Sequence, residues 1–429
     1  MYKKILGKIK KPGFLRNTLI LMSGTTIAQL IPLIVSPILT RLYTADEFGV
    51  LSIFSTIVFF LGALSALKYE LAIVLPRNDI DGDNVYVLSI LISFIINLVL
   101  FIIFIFIAHP FSIVIKAPAL SYLLPWTAIA GFFIALFNIT NYYLIRQKKF
   151  KSVSTNKITR TLSTAILQLA LGLVKTKYGL IYGFGFGQFA ANTFNFIKIK
   201  YGQLFKRVKT VKLIALARRY KKFPRVSFPA NLLYRLSVET FNIILPVLYD
   251  VKTLGFYFLA YRMTIAPITF IGMAFSDSYL KRASDELKER GHLKFLFKKL
   301  VYKLLAVSIP IYALIFLLAI PIFSFVFGKS WTVSGLYAKI LTPWLFTRFL
   351  FFSFSQTYTI LEKLNYPFVI QSINTIFSFF VFALAYFFNW KMITWITVFS
   401  IGMSIIYLVS FLSIIFLINK QYKQTINKI

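Results

Sequence analysis

The segment KIKYGQLFKRVKTVKLIALARRYKKFPR (198–225) runs directly into VSFPANLLYRLSVETFN (226–242). The first carries eleven Lys and Arg and no Asp or Glu, so it cannot lie in hydrocarbon. The second opens an apolar helix that still holds Asn231, Arg235, Glu239 and Asn242, spaced i, i+4, i+8 and i+11. That spacing puts all four on one helical face. A basic segment kept out of the membrane, followed by a spanning helix with charge inside it, divides the chain in two.

The totals agree with a membrane solvent. Of 429 residues, 58% are hydrophobic and only 14% charged, where a soluble domain carries about a quarter charged. The apolar excess comes in long runs of the length a bilayer core requires. A net charge of +35 in a soluble protein would point to nucleic acid. Here the cations sit between hydrophobic runs, where retention in the cytoplasm and contact with anionic membrane lipids account for them, and no nucleic acid partner is expected. The absence of cysteine removes disulfides, thiolate metal sites and cysteine nucleophiles. The first run begins after a basic start and lacks a small-residue cleavage pattern, so it reads as a retained span.

Outward from the basic segment, apolar runs fall at 17–39, 48–75, 86–108, 119–145, 158–174 and 179–197. After it they fall at 226–249, 255–279, 301–327, 334–361, 366–388 and 394–418. The expectation is an all-α polytopic protein of about twelve spans. Residues 1–197 form one six-helix bundle, 198–225 a basic cytoplasmic linker, and 226–429 a second six-helix bundle with a basic tail. With the N-terminus inside, Lys and Arg favour inside segments by roughly five to one, which places both termini in the cytoplasm. The halves also share a weak repeat. Leu42-Tyr43 and Gly49 recur as Leu248-Tyr249 and Gly255 at an offset of 206 residues, and the same offset lays Thr25 on Asn231, Gln29 on Arg235 and Ser36 on Asn242. Six spans return the chain to the same side, as a parallel repeat requires.

With Arg160 and Lys303, at the starts of their runs, counted among the inside cations, eight ionisable residues fall inside these runs: Lys68, Glu70, Arg235, Glu239, Arg262, Asp277, Lys339 and Arg348. Facing lipid, each would cost roughly 3 kcal/mol at mid-depth, and together more than the roughly 5–15 kcal/mol that keeps a protein folded. Lys339 and Asp277 lie near span ends and can snorkel. Lys68 and Glu70 sit toward the cytoplasmic end of a run too long to stand upright, where snorkelling and cavity lining are both open. Arg235, Glu239, Arg262 and Arg348 lie deeper and are expected to face a polar cavity, although Arg235 and Glu239 also suit an i,i+4 ion pair.

These residue types point to binding. Arg presents a planar fork of donors to phosphate oxygens and stays ionised when partly dehydrated. Asn231, Asn242, Thr25 and Gln29 add neutral hydrogen bonds of the kind sugars accept, and Glu239 and Glu70 are candidates for a titratable coupling group. No catalytic set is found: His109 and His292 stand alone, and no metal-ligating or nucleophile–base spacing surrounds either. Gly183-Phe-Gly-Phe-Gly187 lacks the strand–helix context of a phosphate loop and reads as close helix packing. Asp79, Asp81 and Asp83 alternate as in a calcium loop but lack its flanking helices and late Glu. No metal and no cofactor is expected.

Three stretches resemble the polysaccharide (O-antigen repeat-unit, Wzx-type) flippases of the multidrug/oligosaccharidyl-lipid/polysaccharide (MOP) exporter superfamily. They are Gly24 to Gly49, with Pro37-Ile-Leu-Thr-Arg41-Leu; Lys68-Tyr-Glu70-Leu-Ala-Ile-Val-Leu-Pro76; and Gly255-Phe-Tyr-Phe-Leu-Ala-Tyr-Arg262 through Pro267. The resemblance implies a V-shaped pair of six-helix bundles in the bacterial cytoplasmic (inner) membrane, working by alternating access. It implies an undecaprenyl-pyrophosphate-linked oligosaccharide as substrate, its headgroup in a cationic central cavity that Lys68 would join, and polysaccharide polymerase or assembly proteins as candidate partners. It also implies cations in the first lobe, where Arg41 and Lys68 are the nearby ones. The alternatives are a cation-coupled multidrug exporter of the same superfamily and a membrane-embedded polysaccharide polymerase or ligase. The first needs an acidic first lobe, yet residues 86–197 contain no Asp or Glu; the second needs a sizeable external loop, which the spacing does not provide.

Overall fold

The computed structural model describes residues 12–198, 207–363 and 365–426, which are helical throughout with no strand among them. The helices are α1 (Pro12–Leu42), α2 (Ala45–Leu64), α3 (Asp79–Val114), α4 (Leu120–Arg146), α5 (Phe150–Leu173), α6 (Gly179–Lys198) and α7 (Thr210–Arg219). They continue with α8 (Phe228–Leu248), α9 (Val251–Thr264), α10 (Met273–Arg290), α11 (Lys294–Phe327), α12 (Thr332–Phe354), α13 (Asn365–Phe387) and α14 (Met392–Ile426). A helix lies on each of the twelve predicted spans.

Eight described helical segments are long and apolar enough on composition alone to cross a membrane, so the chain is a multi-pass membrane protein. The spans that fall short are α5, α6, α8 and α12. These helices carry Lys157, Arg160, Gln188, Arg235, Lys339 and Arg348, so low hydropathy marks the helices with polar work to do.

The chain divides into two compact units, Met1–Gly255 and Phe256–Ile429, with the boundary inside α9. In the first, α1 lies along α5, α5 along α6, α3 along α4, and α2 on α4 and α8. Gly183 and Gly187, one turn apart on α6, let it approach the backbone of α5 at Gln168 and Thr164. In the second, α12 is central, packed by α10, α11 and α14. Pro267 has no N–H to continue the ladder, and a π-helical turn (Ile268–Gly272) joins α9 to α10 there.

The second span is shorter than its apolar run. A capping box between Thr44 and Glu47 starts α2. It stops at Leu64 because Leu67 and Lys68 take left-handed φ values of 49° and 65°. Twenty residues give roughly 30 Å, enough to cross. Lys68 and Glu70 therefore lie beyond the span, the latter in a short 3-10 helix (Tyr69–Val74).

The basic linker is docked rather than loose. Leu216 of α7 is buried in the cluster of Ala66, Ile73, Val85, Tyr86 and Tyr143, and the Tyr69 hydroxyl donates to the Ala217 carbonyl at 3.0 Å. The alternating aspartates each take a different cation: Asp79 pairs with Arg146 at 3.1 Å, Asp81 with Lys212 at 3.3 Å and Asp83 with Arg207 at 3.6 Å. Asn84 completes the clamp, donating to the Arg207 carbonyl and accepting from the Lys209 amide.

Candidate functional site

In the first unit, polar side chains of α5 form a ladder. Asn156 is buried and donates to Asn141 at 3.4 Å. One position on, the Lys157 ammonium donates to the Thr25 hydroxyl of α1 at 2.8 Å. A turn later the Arg160 guanidinium lies 4.4 Å from the centre of the Phe137 ring on α4. Arg160 is half-buried, and neither a carboxylate nor a hydrogen-bond acceptor meets its guanidinium among the described residues. A ring face is attractive to a cation but satisfies none of its five N–H donors, so they remain available to a ligand.

Lys157 and Arg160 are not among the site residues expected from the sequence, because the fifth run begins at 158 and both cations count there with the inside segment before it. Residues 155–164 hold Thr155, Asn156, Lys157, Thr159, Arg160, Thr161, Ser163 and Thr164, a composition no hydropathy window accepts as a span. The helix starts at Phe150, and packing on α1 and α6 carries both cations inside it.

In the second unit, Arg348 of α12 donates through Nη1 to the Tyr261 hydroxyl of α9 at 2.9 Å. Tyr261 stacks between Tyr257 and Trp344, with centroids at 6.0 and 5.8 Å, and both of those rings are buried. The stack fixes Tyr261, and through it the direction of Arg348, whose Cζ also lies 5.7 Å from the Trp344 ring. Arg262, the next residue along α9, is half-buried with its Cζ 5.9 Å from the Phe258 ring, and no described carboxylate pairs with it. Arg160 and Arg262 thus share one arrangement in separate units: an arginine within a helix, over a phenylalanine, with no acid beside it among the described residues.

The other expected positions are placed as follows. Thr25 holds Lys157, and Gln29 is half-buried one turn further along α1. Asn231 bonds locally to the Ser227 carbonyl, whereas Asn242 reaches Thr56 of α2 at 2.8 Å. Arg235 is half-buried and belongs to the first unit, whereas Arg262 and Arg348 belong to the second. The side chain of Glu239 lies outside the described residues. Lys68 and Glu70 are buried together at 3.6 Å. Burial pushes the Glu70 carboxyl above its ordinary range, and the neighbouring ammonium only partly opposes this. Arg41 is exposed, whereas Lys157 and Arg160 are half-buried in the first unit, as Arg235 is.

Residues 38–336 match the family described as polysaccharide biosynthesis protein. The search of curated proteins returned no match. Among solved structures, the chain is similar to the lipid II flippase MurJ in an inward closed conformation, with a TM-score of 0.70 at 16% identity over 93% of this chain and 87% of that one. It is similar to an inward-facing MATE-family multidrug resistance transporter of the MOP superfamily, with a TM-score of 0.59 at 15% identity over 94% and 95%. A third is a MOP superfamily transporter of Pyrococcus furiosus, described by the reverse polarity of its binding pocket, with a TM-score of 0.54 at 16% identity over 96% and 96%. At these identities the likeness is one of fold.

Proposed function

The chain belongs to the polysaccharide biosynthesis protein family and has the MOP-superfamily fold, and from that premise we propose that it flips a lipid-linked oligosaccharide across the bacterial cytoplasmic membrane. The substrate is an undecaprenyl-pyrophosphate-linked repeat unit, moved by alternating access with both termini in the cytoplasm. The observation that carries this reading is that Arg160 and Arg262, each half-buried in its own unit, meet no carboxylate among the described residues. An uncompensated guanidinium at bilayer depth is costly unless an anion arrives to use it. A pyrophosphate offers oxygens on which the guanidinium fork can close.

In the first unit Arg160 offers its charge to the head, Lys157 and Thr25 extend the polar surface, and Asn242, Gln29 and Asn231 offer hydrogen bonds to sugar hydroxyls; in the second unit Arg262 and Arg348 offer the same charge. The chemistry required is binding and release, with no bond made or broken. A multidrug exporter for cationic compounds would set like charge against like at Arg160 and Arg262. A strain lacking the protein accumulates lipid-linked oligosaccharide on the cytoplasmic leaflet, and the wild-type chain restores export. Unchanged leaflet distribution in the deletion strain overturns the reading.

A further inference from the structure

The first unit holds a cavity of about 270 Å³ with an almost wholly apolar lining, walled by Leu123, Trp126 and Phe133 of α4 and by Tyr182, Gly185 and Phe189 of α6. Trp126 and Phe189 are about half exposed, so the cavity has an open side, which faces lipid on the proposed topology. Phe133 meets Phe189 edge to face at 5.1 Å. One turn further along the same face of α4 comes Phe137, the ring beneath Arg160. The greasy cavity therefore begins one helical turn from the ring on which the Arg160 guanidinium rests, without a carboxylate among the described residues. Together they have the outline of an amphiphile: charge at one end, hydrocarbon at the other.

Charge and the single track select the amphiphile. From Phe137 to Leu123 the track runs roughly 21 Å along α4, room for several isoprene units. On the proposed topology Arg160 lies at the cytoplasmic end of the track and Leu123 at the outer end. A phospholipid brings two acyl chains and a singly charged diester, whereas a polyprenyl phosphate brings one chain to the one cavity and a more highly charged head to Lys157 and Arg160, one turn apart on α5.

We infer that the first unit binds a long-chain polyprenyl phosphate or pyrophosphate, its phosphate on Arg160 and Lys157 and its first isoprene units lying along α4 in the cavity beside α6. This rests on the reading of the chain as a carrier of lipid-linked sugar. The isoprenoid chain is then gripped by protein near its head, so the phosphate presented to Arg160 is registered and chain length contributes to recognition.

The test uses the full-length protein in detergent, titrated by native mass spectrometry with undecaprenyl phosphate, farnesyl phosphate and phosphatidylglycerol. Undecaprenyl phosphate binds about tenfold or more tightly than the other two. No heavy atom lies within 4 Å of a side chain begun at Gly185, so Gly185→Leu grows into the cavity and abolishes the chain-length preference. Trp126→Ala, at a half-exposed position, weakens that preference from the opposite wall. Arg160→Gln weakens long and short chains alike. Equal binding of long and short chains, equal binding of phosphatidylglycerol, or a preference that survives both cavity variants overturns the inference. If the deletion strain traps no lipid-linked glycan while the preference persists, the carrier reading falls and this site stands; trapped glycan without the preference has the opposite meaning.

Discussion

Gly49 and Gly255 are reciprocal contacts. A side chain begun at Gly49 runs into the carbonyl of Val251, and one begun at Gly255 runs into the carbonyl of Ala45. Ala45 and Val251 are separated by the same 206 positions as Gly49 and Gly255. Each helix start therefore presses its glycine on the equivalent point of the other, the pattern of a self-complementary contact about a two-fold axis. The weak repeat is thus written into the packing of α2 and the start of α9.

Both glycines are expected to resist even alanine, and equally. Gly49→Ala and Gly255→Ala each cost roughly 1–3 kcal/mol by overpacking backbone on backbone, whereas Gly185→Ala, which meets open space, changes stability by less than about 0.5 kcal/mol. Melting temperatures in detergent separate these cases. A neutral Gly255→Ala beside a damaging Gly49→Ala contradicts the reciprocal contact.

The Lys68–Glu70 pair predicts a pH dependence. Because burial raises the Glu70 carboxyl, the folded chain holds that proton more tightly than the unfolded one, whose carboxyl titrates near 4.5. Stability from this group is present at low pH and is lost as pH rises from about 4.5 through the raised value. Glu70→Gln flattens that slope in pH-dependent melting. Lys68→Met leaves a buried carboxylate alone and costs about 3 kcal/mol near neutral pH, while adding Glu70→Gln restores most of it.

Docking of the linker is expected to depend on Asp83 more than on Asp81. The Asp81–Lys212 pair is partly exposed and worth less than about 1 kcal/mol. Asp83 is buried and also accepts from the Tyr143 hydroxyl at 2.7 Å, a bond whose loss costs about 1–3 kcal/mol. Limited trypsin digestion of the basic linker is therefore faster in Asp83→Ala than in Asp81→Ala; the reverse order contradicts the clamp.

In the second unit, Tyr261→Phe removes one hydroxyl and leaves the stack with Trp344 intact. Transport falls about tenfold through the lost direction of Arg348, with no change in melting temperature. Arg348→Ala falls further, and both exceed Lys339→Ala, whose ammonium rests 5.3 Å from the exposed Phe316 ring. Equal loss in the tyrosine and Lys339 variants removes the assigned role of Tyr261.

Hydropathy made the twelve spans readable because each apolar run is long enough to require a bilayer, and loop charge then set their direction. Two features were hidden for opposite reasons. Lys157 and Arg160 sit in the polar first half of a helix whose apolar run begins only at 158, and its neighbours α1, α4 and α6, rather than lipid, supply their surroundings. The stretch from Ser65 to Leu75 is apolar enough to extend the second span, but Leu67 and Lys68 turn the backbone left-handed, and composition carries no trace of that. The glycine repeat was visible as spacing, yet its reciprocal contact needed coordinates.

The most direct measurement is flipping in proteoliposomes, following access of a fluorescent polyprenyl-pyrophosphate-linked sugar to a membrane-impermeant quencher. Arg160→Ala and Arg262→Ala are each predicted to lose at least about tenfold in rate while folding normally, with Lys339→Ala near wild type. Flipping at the wild-type rate by the Arg160→Ala/Arg262→Ala double variant would contradict the account.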